Sequence, residues 1–92
     1  MSAMHRHGLI TTPKHFVAHG TPTGGLNLAS VKGGRRDLYD LYLVPFRRVI
    51  EETAPLSIMN CYSVYDGEAV SGSRYFLTGL LRNELGFRGY VY

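Results

Sequence analysis

Leu56-Ser57-Ile58-Met59-Asn60-Cys61-Tyr62 decides the fold. This run is short and mainly apolar. Pro55 precedes it and the turn pair Asp66-Gly67 follows it, so it reads as a buried strand. Upstream, Leu38, Leu41, Tyr42, Pro45, Phe46, Val49 and Ile50 recur at three- and four-residue spacing. That stripe predicts a helix over about 35–53, with Asp37 and Asp40 near its positive end. Pro45 lies inside the pattern and removes a backbone donor, which predicts a kink or two abutting helices. Downstream, Phe76, Leu77, Leu80, Leu81 and Leu85 predict a second helix over about 73–85. Ser73 is its expected N-cap and Gly86 its expected stop. Gly89-Tyr90-Val91-Tyr92 begins another strand, and Leu9–Phe16, β-branched and apolar at its start, reads as an earlier one.

The order is therefore strand, helix, strand, helix, strand. A βαβαβ series implies an α/β fold with a parallel sheet and right-handed crossovers. Three parallel strands leave open edges and a thinly covered face, so residues 1–92 are expected to form an incomplete unit of a larger domain. Residues 1–8 read as a ragged lead-in and 9–92 as the structured segment. Residues 17–34 lack periodicity and read as a long loop, a length that in compact domains usually carries function or is disordered.

Composition narrows the classes. The 92 residues carry a net charge of +3 and are 45% hydrophobic, which fits a globular chain and excludes a disordered tail. No run of five like charges exists, so nothing points to nucleic acid. No apolar stretch approaches the roughly 18 residues of a spanning helix, so no membrane partner is expected. Met1–His7 is polar with no apolar run behind it, so no secretory signal is read, and the compartment stays open. Cys61 is the only cysteine, which rules out an intrachain disulfide and reads as an inert core thiol. His5, His7, His15 and His19 lack a carboxylate or cysteine partner in a ligand pattern, so no metal is expected. The glycines at 20, 24 and 25 lack the following lysine and Ser or Thr of a phosphate loop.

Parallel strands end on one edge, so Lys14, His15 and the Asn60–Tyr62 segment should gather there. Lys14-His15-Phe16, then His19-Gly20 and Gly24-Gly25-Leu26-Asn27-Leu28, resemble glycoside hydrolase family 3. The likeness continues through Leu43-Val44-Pro45-Phe46, Met59-Asn60-Cys61-Tyr62, Asp66-Gly67, Arg74–Thr78 and Leu81–Gly89. The resemblance implies a segment of a (β/α)8 barrel from a retaining β-glucosidase or β-xylosidase that needs no cofactor. It implies that Lys14, His15 and Tyr62 bind the sugar of the first subsite. It also implies that the nucleophilic aspartate falls just after Tyr92, so that no catalytic residue lies within 1–92 and the isolated chain is inactive. The implied partners are a carbohydrate substrate and the rest of the catalytic domain. The N-acetylhexosaminidase branch of the family carries an Asp and a His in the loop after this motif. Thr21–Asn27 has neither, which favours the glucosidase and xylosidase branch. The remaining carboxylates, Asp37, Asp40, Glu51, Glu52 and Glu84, read as surface charges on helices, and Asp66 as a turn former. A rival reading is a small non-catalytic α/β module. It would hold an anion in the Gly20–Gly34 loop, helped by Lys32, Arg35 and Arg36 at a helix start.

Overall fold

The computed structural model describes all 92 residues. Three chain segments run side by side in the same direction. β1 (Ser57–Ile58) pairs in parallel with β4 (Tyr90–Val91), in the register Ser57 to Tyr90 and Ile58 to Val91. On the other side of β1, Phe16 bridges Asn60, also in parallel. Spatial order thus follows chain order, with the middle segment between its neighbours. The parallel α/β arrangement expected from the alternating pattern is present.

The regular strand lengths fall short of the expected spans. Residues 9–15 form no regular strand and only Phe16 makes a bridge, while Leu56–Tyr62 yields the two-residue β1 plus the bridge at Asn60. The reason is the ladder itself. Apolar sequence marks what is buried, but regular pairing needs a bonding neighbour at every step. Pro13 has no N–H to offer, and the chain turns away after Phe16.

Residues 1–8 are more ordered than a ragged lead-in, because α1 spans Ser2–Arg6. The predicted 35–53 helix is three abutting pieces. These are α2 (Gly34–Asp37), a wide π-type turn over Leu38–Tyr42, and α3 (Val44–Thr53). Leu43 N–H reaches back five residues to the Leu38 carbonyl at 2.8 Å. Pro45 falls in the first turn of α3, where its missing N–H would be unpaired anyway. The second predicted helix appears as α4 (Tyr75–Glu84), also of wide turns. Ser73 caps it, its Oγ accepting from the Phe76 N–H at 3.0 Å. Gly86 stops it with a left-handed φ of +73°, and Phe87 N–H folds back onto the Leu81 carbonyl at 3.1 Å.

Between β1 and α4 the Asp66-Gly67 turn closes a small antiparallel hairpin of β2 (Val64–Tyr65) and β3 (Glu68–Ala69). The Glu84 carboxylate, read from sequence as a plain surface charge, accepts the Tyr39 hydroxyl through both oxygens at 2.8 and 2.9 Å. Burial and that carboxylate push the phenol well above its ordinary range.

The core joins the strand segments to the helices. Phe16, Ile58 and Phe87 are fully buried with Leu38, Leu43, Leu80 and Leu81 from the helices. Leu56, Tyr62, Tyr90 and Tyr92 are exposed large apolar residues. A parallel sheet normally covers such surface. No helix is long and apolar enough to cross a membrane.

Candidate sugar-binding rim

The backbone bonds of the middle segment fix the place of Lys14 and His15. The Pro13 carbonyl accepts from Met59 N–H at 3.0 Å, and Phe16 N–H donates to the Met59 carbonyl at 2.8 Å. Cys61 N–H then donates to the Phe16 carbonyl at 2.6 Å. Cys61 is buried and its Sγ donates to the Val17 carbonyl at 3.0 Å, as suits a core thiol. Lys14 and His15 are thus a two-residue link clamped at both ends. The Lys14–His15 and Phe16–Val17 peptide bonds are both cis. On the far side of the sheet, Asn60 N–H and Asn60 Nδ2 both donate to the Tyr92 carbonyl at 3.0 Å. Phe16, Asn60 and Tyr92 therefore stand abreast at the C-terminal ends of the three segments.

Lys14 is exposed and takes part in no ion pair. The only ion pair in the molecule joins Arg48 and Glu52 at 2.8 Å on the surface of α3. The ammonium is therefore not spent in a surface charge network. His15 is half-buried beside it and makes no side-chain hydrogen bond. Both line an open cavity of about 470 Å³ with His19, Thr21, Tyr42 and Phe46. Partial burial, together with His19 and Lys14 nearby, lowers the pKa of the His15 imidazole below 6.5. The ring is thus held neutral, with one donor and one acceptor nitrogen.

A lowered pKa for a base means the folded state binds protons less readily than the unfolded chain. The contribution of His15 to stability is therefore whole above pH 6.5. It falls as the pH drops below that value, where the unfolded chain protonates first. An NMR titration of the His15 ring protons is expected to show a midpoint below 6.5. A midpoint at or above it would contradict this environment.

Tyr62 lies two residues past Asn60 and is 62% exposed. It does not line the cavity that holds Lys14 and His15. The structure brings the first two expected sugar ligands together and leaves the third on the open side. His19, Thr21 and Tyr42 at the same cavity were not singled out as site residues from sequence. His19 was visible in the His19-Gly20 pair and in the rejected metal set, Tyr42 only as part of the apolar helix stripe and Thr21 only as the start of the Thr21–Asn27 loop.

The four histidines do not converge. His5 Nε2 is bonded to Thr11 Oγ1 at 2.7 Å, and no three His, Cys, Asp or Glu side chains form a metal-binding group.

The anion-loop alternative meets a specific obstacle. The Asp66 carboxylate accepts from Gly33 N–H at 3.2 Å and Gly34 N–H at 2.8 Å. Those are the amides an incoming anion would need, and a carboxylate of the chain already holds them. Arg35 is turned onto the Tyr75 ring, 5.7 Å from its centroid.

The model of the glycosyl hydrolase family 3 N-terminal domain matches residues 1–92. The chain belongs to glycosyl hydrolase family 3. It is 37% identical over 84 residues to probable β-glucosidase K of Emericella nidulans, covering 91% of this chain and 10% of that protein. It is 32% identical over 97 aligned positions to the β-hexosaminidase of Actinobacillus succinogenes, covering all of this chain and 28% of that protein. β-Glucosidase 3B of Thermotoga neapolitana, solved in complex with glucose, superposes with a TM-score of 0.87 at 28% identity. That match covers 98% of this chain and 12% of the other. This family 3 chain thus spans between about a tenth and three-tenths of the length of these relatives.

Proposed function

We propose that residues 9–92 are three consecutive βα units of the catalytic barrel of a retaining β-glycosidase, preceded by a lead-in over 1–8. In this reading Lys14 and His15 hold hydroxyls of the non-reducing-end sugar of a β-glucoside or β-xyloside, and Tyr62, which lies outside their cavity, meets that sugar from the neighbouring segment's exposed end. One observation carries it: an unpaired, exposed lysine ammonium beside a neutral imidazole, clamped at the C-terminal ends of parallel strands. Sugar hydroxyls both donate and accept. A charged donor makes the stronger bonds to them, and a neutral imidazole serves either role.

The reaction needs two carboxyl groups about 5–5.5 Å apart, one as nucleophile and one as acid then base. None of the carboxylates in this chain lies at the cavity of Lys14 and His15. The nucleophilic aspartate belongs to the continuation of β4 past Tyr92, and the acid/base to a more distant part of the protein. The isolated 92-residue chain is accordingly expected to show no glycosidase activity. The absence of Asp and His from Thr21–Asn27 favours the glucosidase and xylosidase branch over the hexosaminidases.

The test is Lys14→Ala in the full-length enzyme, assayed on aryl β-glucosides and β-xylosides. The lost charged hydrogen bonds should lower kcat/KM by roughly 10- to 150-fold. An unchanged kcat/KM defeats the assignment.

A further inference from the structure

The His15 ring is the loose part of the clamp. Its backbone is fixed through Pro13 and Phe16, yet its imidazole makes no hydrogen bond within the chain. The ring partner it does have is His19, whose ring centroid lies 4.1 Å away at a tilt of 42°. Ala18 adopts a left-handed φ of +62° between them, and this turn brings His19 back towards His15. The loop is tied down on either side of His19. Cys61 Sγ holds the Val17 carbonyl at 3.0 Å, and Thr21 Oγ1 is bonded to the Tyr42 hydroxyl at 2.8 Å. His19 is itself half-buried and faces the same cavity as Lys14 and His15.

We propose that His19 is a positioning residue for sugar binding, fixing by close ring-to-ring contact the plane in which His15 presents its nitrogens to a sugar hydroxyl. The proposal rests on the reading of Lys14 and His15 as sugar ligands and goes beyond it. A free imidazole must be ordered when the sugar arrives, and that ordering weakens binding. A ring already seated on a neighbour arrives ordered. Close ring pairs contribute enough that losing the contact should lower kcat/KM by about 2- to 12-fold. Burial first, and His19 beside it, also lower the pKa of the His15 imidazole, which favours the neutral ring with one donor and one acceptor nitrogen.

The experiment uses the full-length enzyme and an aryl β-glucoside, with His15→Ala, His19→Ala, His19→Gln, His19→Phe and the double variant His15→Ala/His19→Ala. His19→Ala and His19→Gln should each lower kcat/KM by about 2- to 12-fold. His19→Phe keeps a flat ring and should restore most of the loss. Because His19 acts through His15, adding His19→Ala to His15→Ala should cause no further loss. The glutamine variant serves if the alanine variant does not fold. The inference is overturned if His19→Gln retains the parent kcat/KM, if phenylalanine does not rescue, or if the losses multiply in the double variant. A silent His15→Ala would instead overturn the sugar-site reading on which the inference stands.

Discussion

Phe16→Ala is expected to lower the unfolding free energy by about 3–5 kcal/mol, the range for deleting a fully enclosed aromatic side chain. Phe16 is 0% exposed and meets the Phe46 ring edge-to-face at 5.2 Å. Its backbone is bonded on both sides to the middle segment, through Met59 and Cys61, so the site cannot collapse to fill the void. Phe16→Leu keeps most of the volume and should cost less than half as much. The measurement is the denaturant midpoint of the full-length protein at unchanged m-value. A loss below about 1 kcal/mol for the alanine variant would show that the ring is not part of the core. Activity should fall as well, because Lys14 and His15 are the two residues before Phe16 and inherit their position from it.

Gly89→Ala is the second large effect, and its cause is space rather than dihedral strain. A Cβ at residue 89 would overlap the Leu56 carbonyl oxygen and sit 2.5 Å from its carbon and 2.8 Å from Phe87 Cζ. Two of those atoms are backbone and have no rotamer by which to move. β4 would have to leave β1, giving up the Tyr90 N–H bond to the Leu56 carbonyl at 3.0 Å and the Tyr92 N–H bond to the Ile58 carbonyl at 2.8 Å. Arg82 also donates to the Gly89 carbonyl and would lose its place. The expected loss is about 3 kcal/mol or more, the upper end of overpacking penalties with ladder bonds added. Gly72→Ala is the control. A Cβ there meets nothing within 4 Å, and stability should change by no more than about 0.5 kcal/mol. Equal midpoints for the two variants would refute the close approach of β4 to β1.

Local pattern and structure agree where the code is local. The stripe of Phe76, Leu80 and Leu81 is buried in α4, Ser73 caps it, and Gly86 ends it. Each of these depends on residues within one or two turns of one another, so sequence spacing carries the information. The same reasoning failed at the edges. The Leu9–Phe16 strand shrank to one bridge, because pairing is decided by the neighbour and not by the apolar run. The ordered α1 and the β2–β3 hairpin were missed. The Asp66-Gly67 signal was read as a turn, but its flanks are too short to register as strands.

The candidate site divides in the same way. Lys14 and His15 stood out from a motif and prove to share a cavity, whereas Tyr62 from the same reading lies outside it. The contacts that shape the rim join residues distant in the chain. Asn60 meets Tyr92, Thr21 meets Tyr42, and Asp66 takes the amides of Gly33 and Gly34. No periodicity within a segment encodes which carboxylate will cap which helix.

By itself the sequence determined the alternation of strands and helices and their parallel direction, and its resemblance to the family singled out Lys14 and His15 as candidate sugar ligands. The first two follow from hydrophobic spacing and crossover handedness, which are properties of neighbouring residues. Only the tertiary structure decided that Gly89 tolerates no side chain, that Asp66 already occupies the anion position, and that His19 folds back on His15. Each of these depends on a contact across a turn or between distant segments, and such contacts exist only once packing has fixed the backbone in three dimensions.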